Sequence, residues 1–234
     1  MIIVFWSPVP DIPAGDNMLC IGMMAAIKYG KKVCLIHKDQ VAPVRRTKEI
    51  HLMSIWKDRI YYPGIAEEFE EKMTDRERNR RWIHQDSCVP YLKQIEKKVD
   101  LVFLDAGPVK DNKLKRIFQA ADVITVNLWQ NYNALDRFFK CRQIYSHKYL
   151  YVWDRYDEDS TCNASYIHNI YRVSREHFGV ILYNPEFEKA VSELNVLGFL
   201  LNNHDGGQTC RNELFMLEVL KTTQMVLRKA GMIE

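Results

Sequence analysis

At 234 residues with 47% apolar side chains, the chain suits one large α/β domain over 1–234, with no Pro/Gly/Ser-rich linker or repeat to divide it. A net charge of +3 is too small to imply nucleic acid by itself, and no apolar run approaches the length of a membrane span. Six cysteines (Cys20, Cys34, Cys88, Cys141, Cys162, Cys210) form no C-x-x-C pair, Cys20 and Cys34 read as small core residues, and the first residues are a strand rather than a leader, so a reducing cytoplasm is expected.

Ile2 to Trp6 is an apolar run of strand type. A turn-rich loop follows over Ser7 to Asn17, then an apolar helix from Met18 to Tyr29 with Gly30 as its stop, then a strand from Val33 to Ile36. A connection of that length forces the two strands parallel. The loop therefore lies at the carboxyl edge of a sheet and faces a helix start, where unpaired amides and the helix dipole favour phosphates. Its contents oppose that use. Pro10 and Pro13 remove two amide donors and fix φ, Asp11, Ile12 and Ala14 stand between and after them, and Gly15 alone is a plausible loop glycine. No lysine lies between Ser7 and Ile27. At the helix start, Asp16 and Asn17 offer a cap, and Asp16 a charge that repels phosphate.

His37, Lys38 and Asp39 close the second strand, and His37 reads as a polar strand terminus. Val41 to Trp56, Ala66 to Met73 and residues 87–98 are expected to be helical, with a turn at Tyr61 to Gly64. The charged run Thr74 to Arg81 reads as a solvated surface because Asp75 and Glu77 interrupt it. Val99 to Leu104 is a buried parallel strand ending in Asp105, ahead of Gly107-Pro108. A helix from Asn112 to Gln119, a strand from Ala121 to Leu128 and a helix from Asn131 to Cys141 come next. Tyr149 to Val152 is a strand running into Trp153-Asp154-Arg155-Tyr156-Asp157. A helix from Asn163 to Tyr171, a strand from Gly179 to Asn184, a helix opening at Pro185, a polar loop from Asn202 to Gly207 and a helix from Asn212 to Lys229 complete the chain. On that last helix Leu214, Leu217, Leu220, Val226 and Leu227 form a stripe as long as the helix, which predicts docking on the sheet rather than on lipid. The fold class is α/β: a doubly wound, mostly parallel sheet with helices on both faces.

Phe5-Trp6-Ser7-Pro8, the segment Ala26 to Asp39, "DLVFLDAGP" at 100–108, Ala121 to Leu128 and Asp154-Arg155-Tyr156-Asp157 together resemble the MinD/ParA (SIMIBI-class) P-loop ATPases, in order along nearly the whole chain. That resemblance implies the P-loop NTPase fold. In such proteins the first loop reads K-G-G-x-G-K-[ST]-[ST], the second strand ends D-x-D, and an N-R-Y-D segment and a later G-x-I-P segment frame the adenine. Of these, Asp39 matches the second aspartate of D-x-D, with His37 at the first, and Asp105 matches the aspartate that reaches magnesium through water. The loop 10–17 is a degenerate Walker A, Val9 stands where a lysine reaches across the family's dimer, Asp154 replaces the base-reading asparagine, and Leu182 replaces the proline. A carboxylate cannot donate to an adenine acceptor. Arg155 and Asp154 are thus base-pocket positions without the base-pocket chemistry.

Three functions follow. The favoured one is a pseudo-ATPase, without ATP or magnesium as cofactor, that acts as a protein-binding or positioning component of a bacterial assembly. The Phe5-Trp6-Ser7-Pro8 opening resembles divergent members from Flp/Tad pilus loci. The second is an atypical active ATPase with ATP and Mg, drawing on Lys28 or Lys38 in place of the loop lysine. The third is a nucleic-acid or partner-binding module using the basic clusters at 76–81 and 110–116. A dimer, if formed, is expected to be independent of ATP, and direct membrane contact is not expected.

Overall fold

The computed structural model describes residues 1–9, 12, 14–37, 52–63, 85–108, 114–141, 146–206 and 209–234, with the backbone alone at 85–87. Its elements in chain order are β1 (Ile2–Trp6), α1 (Ala14–Tyr29), β2 (Val33–His37), β3 (Leu52–Trp56), β4 (Ile60–Pro63), α2 (Gln85–Glu96), β5 (Leu101–Gly107), α3 (Lys115–Ala120) and β6 (Val123–Leu128). There follow α4 (Tyr132–Lys140), β7 (Tyr149–Tyr156), α5 (Ala164–Tyr171), β8 (Phe178–Leu182), α6 (Pro185–Ser192), α7 (Val196–Asn203) and α8 (Cys210–Lys229).

The eight strands form one sheet in the order β3-β4-β2-β5-β1-β6-β7-β8, parallel throughout except for the β3–β4 hairpin. Strand order reverses at β1, whose neighbours are β5 and β6. Both faces are covered, so the inner strands are apolar without a break, and alternate side chains feed two cores. Ile3 and Phe5 pack with Met18, Ile21 and Met24 of α1 and with Phe215, Val219 and Val226 of α8. Ile2, Val4 and Trp6 pack on the opposite face with Leu92, Phe118, Leu135 and Trp153. The doubly wound, mostly parallel arrangement expected from the sequence is the one observed.

Local differences have local causes. α1 begins at Ala14, a turn earlier than the apolar segment that marks it, so Asp16 and Asn17 lie inside its first turn. Leu52–Trp56 is a strand, not the end of a helix, and Tyr61, Tyr62 and Pro63 belong to β4 rather than a turn. The tight connection is the three residues Lys57-Asp58-Arg59, closed by Arg59 N donating to Trp56 O (2.9 Å), with Lys57 and Asp58 both at positive φ (44° and 52°), a turn geometry that matches strand twist. Asn202 and Asn203 end α7 instead of opening a loop. On α8 the buried face runs through Phe215, Met216, Val219, Thr222, Val226 and Leu227, while Leu214 and Leu217 remain 53% and 46% exposed, so the five-residue stripe is only partly the docking face. Expectations for Lys38, Asp39, Val41 to His51, Ala66 to Met73, the cluster at 76–81 and most of that at 110–116 lie outside the described residues, as do Pro10, Asp11 and Pro13. Of the second cluster, Lys115 and Arg116 open α3. Among the described residues no helix is long and apolar enough to cross a membrane.

Candidate functional site

The carboxyl ends of β1, β2, β5, β6 and β7 and the starts of α1 and α6 converge on one edge of the sheet. Ser7 Oγ donates to Val9 O (2.6 Å) and accepts from Val9 N (3.2 Å), turning the chain out of β1. Ile12 is buried at 4% exposure, so an apolar side chain occupies the middle of the loop. Ala14 is buried and Gly15 follows in the first turn of α1, where an added Cβ would fall 2.8 Å from Asp105 Oδ2. Helix and carboxylate thus approach as closely as a glycine allows.

Asp105 is buried and held at both oxygens: Oδ1 accepts from Gly107 N (2.8 Å), and Oδ2 lies 3.0 Å from His37 Nε2. The sequence reading of His37 as a mere strand terminus missed this pairing, which joins the ends of two adjacent strands.

On the other side of α1, Asn17 Nδ2 donates to Asn127 Oδ1 (3.0 Å) at the end of β6, and the same amide lies near enough to Asp154 at the end of β7 to favour its charged form. Asn127 Nδ2 is spent on Trp6 O (3.2 Å) and Thr125 O (3.1 Å), which fixes the orientation of both amides. Asn17 Oδ1 and Thr125 Oγ1 are left buried and, among the described residues, unpartnered.

β7 shifts register between Trp153 and Tyr156, and Arg155 takes a left-handed conformation (φ 48°). That irregularity turns Asp154 inward toward α1 and Arg155 outward, where its guanidinium binds Glu188 of α6 through two 3.0 Å bonds. Asp154 is 7% exposed, and burial above all pushes its carboxyl up to about 6, with Glu188 and Asp16 adding to the rise and Arg155 and Asn17 opposing it. Asp16 is likewise raised to about 6, first by burial and then by the charge of Glu188, against the pull of Arg155. Among the described residues, the carboxylates Asp16, Asp105, Asp154 and Glu188 thus share the edge with the Arg155 guanidinium and the His37 imidazole. Glu188 and Asn127 were not singled out by sequence, although each is a polar residue at the carboxyl edge, in the helix that follows β8 or at the end of an apolar strand.

Leu182 ends β8, half-buried, beside Arg155. Lys28, the cation expected to substitute for a loop lysine, is in the last turn of α1, about 18 Å along the helix from Asp16, and is paired with Asp205 at 2.7 Å. It does not serve the edge.

Comparison with family models and with curated proteins returns no match. Solved structures do match. The ParA family ATPase of Chlorobium tepidum superposes with a TM-score of 0.66 at 9% identity, covering 95% of this chain and 98% of that one. A chain of the MinC:MinD cell division complex of Aquifex aeolicus gives 0.61 at 14% identity over 97% and 95%. The plasmid partition protein of Borrelia burgdorferi bound to AMPPNP gives 0.61 at 14% identity over 97% and 98%. The chain has the ParA/MinD-type P-loop ATPase fold, and at these identities the likeness defines the fold alone.

Among the described residues, the ionisable groups at this edge are mostly carboxylates. Polyphosphate needs amide donors and cations. The described residues offer instead Asp16 in the first turn of α1 and Asp154 at the end of β7.

Proposed function

We propose that this protein is a pseudo-ATPase: a ParA/MinD-fold chain that neither binds nor hydrolyses ATP appreciably and acts as a protein-binding or positioning component of a bacterial assembly. The observation that carries the reading is the electrostatic inversion of the edge. Asp16 and Asp154 already hold their protons up to about 6 because they are buried among other carboxylates, and a polyphosphate would deepen that imbalance. The complex of the Aquifex relative with MinC supports a protein partner as the mode of action. The resemblance of Phe5-Trp6-Ser7-Pro8 to Flp/Tad pilus members supports an assembly of that kind, in the cytoplasm. Calorimetric titration with magnesium-ATP tests the loss of nucleotide binding. No heat of binding is expected, and a Kd tighter than about 1 mM would overturn the reading.

A further inference from the structure

Next to the acidic edge, β8 and α8 leave an open groove of about 1100 Å³. Leu214 and Leu217, one turn apart on α8, and Tyr183 at the end of β8 are 53%, 46% and 56% exposed in its wall. Its charged lining is Asp157, Glu158 and the Glu218–Lys221 pair, with Arg155. Since Lys221 is paired with Glu218 and Arg155 with Glu188, the charge left over in the wall is that of Asp157 and Glu158. Arg155 lines the groove and also binds Glu188, so groove and carboxylate cluster are continuous.

β8 is an edge strand, yet it is closed to strand addition at its centre. Thr222 Oγ1 accepts from Val180 N (3.1 Å) and donates to Val180 O (2.9 Å). An occupant cannot pair with those groups and must bring its own backbone hydrogen bonds, as a helix does. Apolar residues on α8 call for an apolar stripe, and the surplus of carboxylates calls for a cation. An anionic membrane surface is disfavoured by the same acidic wall.

We propose that the β8–α8 groove receives an amphipathic helix of a partner protein, its apolar stripe on Leu214, Leu217 and Tyr183 and a lysine or arginine directed at Asp157 and Glu158. This inference deepens the reading of the chain as a protein-binding component, and nucleotide binding is reported separately by the magnesium-ATP titration.

The test is selection of phage-displayed random peptides of about 16 residues, some four helical turns, on the native protein, with counter-selection on Leu214→Ser/Leu217→Ser. Both leucines are exposed, so the variant keeps its fold. Enriched peptides are expected to carry apolar residues three or four apart with a Lys or Arg beside them. A labelled enriched peptide should lose about tenfold or more in affinity against the double leucine variant and against Asp157→Asn/Glu158→Gln, and should weaken as salt rises. Failure to enrich any peptide, enrichment of peptides without a basic residue, or affinity indifferent to these substitutions would overturn the proposal. So would concentration-dependent self-association abolished by Leu214→Ser/Leu217→Ser, which assigns the groove to a second copy.

Discussion

Replacing Asp154 by asparagine is expected to stabilise the protein near neutral pH. The carboxyl is 7% exposed and its pKa is pushed to about 6 from the ordinary 3.8, chiefly by burial. A folded-state pKa above the unfolded one means that the folded chain binds the proton more tightly. Stability from this group is therefore full below about pH 4, falls as pH rises from about 4 to about 6, and stays low above that. A difference of about 2 units corresponds to about 3 kcal/mol. The amide introduced by Asp154→Asn would carry no charge to desolvate and would bring N–H donors to a neighbourhood where Asn17 Oδ1 has none among the described residues. Urea unfolding followed by tryptophan fluorescence measures the effect, with fully buried Trp153 as the adjacent reporter. The variant is expected to gain up to about 3 kcal/mol near pH 7 and almost nothing near pH 4. A loss of stability near pH 7, or an equal gain at both pH values, would refute the claim that Asp154 is buried at a cost.

Other substitutions test neighbouring contacts. Glu188→Gln removes a negative neighbour of Asp16 while leaving Arg155 in place, so the Asp16 midpoint should fall from about 6, read by NMR titration of the carboxyl carbon; no fall would sink the electrostatic account. Gly15→Ala puts a methyl 2.8 Å from Asp105 Oδ2, a carboxylate fixed by Gly107 and His37, and overpacking of this kind costs about 1–3 kcal/mol in thermal or chemical unfolding. Thr222→Val keeps shape and removes both bonds to Val180, which should cost about 1–3 kcal/mol and open the β8 edge to intermolecular pairing, detected as thioflavin-positive aggregation.

The fold was legible where burial on both faces writes long apolar runs. β1, β5, β6 and β7 are such runs, and each ends in polar or Gly-Pro residues that mark the carboxyl edge. The β3–β4 hairpin was not legible. It lies at the sheet border with Met53 and Ile55 54% and 42% exposed, so its apolar residues do not alternate as a half-buried strand would, and Lys57-Asp58-Arg59 lacks an Asn-Gly turn signature. On α8, the sequence shows more apolar residues than one face can hold, and only the packing tells Phe215 and Val219, which are buried, from Leu214 and Leu217, which are not. Asp16 and Asp154 were visible as charges in the wrong places for a phosphate site, and Asp105 as the acidic end of a buried strand. Their partners were not. Arg155 meets Glu188 across 33 residues and Asn17 meets Asn127 across 110, so these pairings are products of topology rather than of any local pattern.

The same protein shows that it can satisfy buried polar groups when they serve the fold. Asn184 caps α6 by accepting from Glu186 N (2.9 Å) and Phe187 N (3.0 Å), and its Nδ2 donates to Asn212 Oδ1 (2.9 Å). Asn212 Nδ2 donates to Glu186 Oε2 (2.8 Å) and to Asn203 Oδ1 (3.2 Å), while Asn203 Nδ2 donates to Phe199 O (2.8 Å). These three buried amides clamp α6, α7 and α8 together with no side-chain donor or acceptor left over. Nearby, at the junction of α1 with β6 and β7, burial instead leaves Asn17 Oδ1 and Thr125 Oγ1 without partners among the described residues and two carboxyls holding protons up to about 6. The two raised carboxyls mark a shortage at this edge of positive charge and of donors to its carboxylates. An incoming cation relieves it, because each N–H that reaches the cluster replaces a desolvation cost with a charge-assisted bond. Nucleotide increases it, and this difference in sign is the physical ground for expecting the edge to reject polyphosphate.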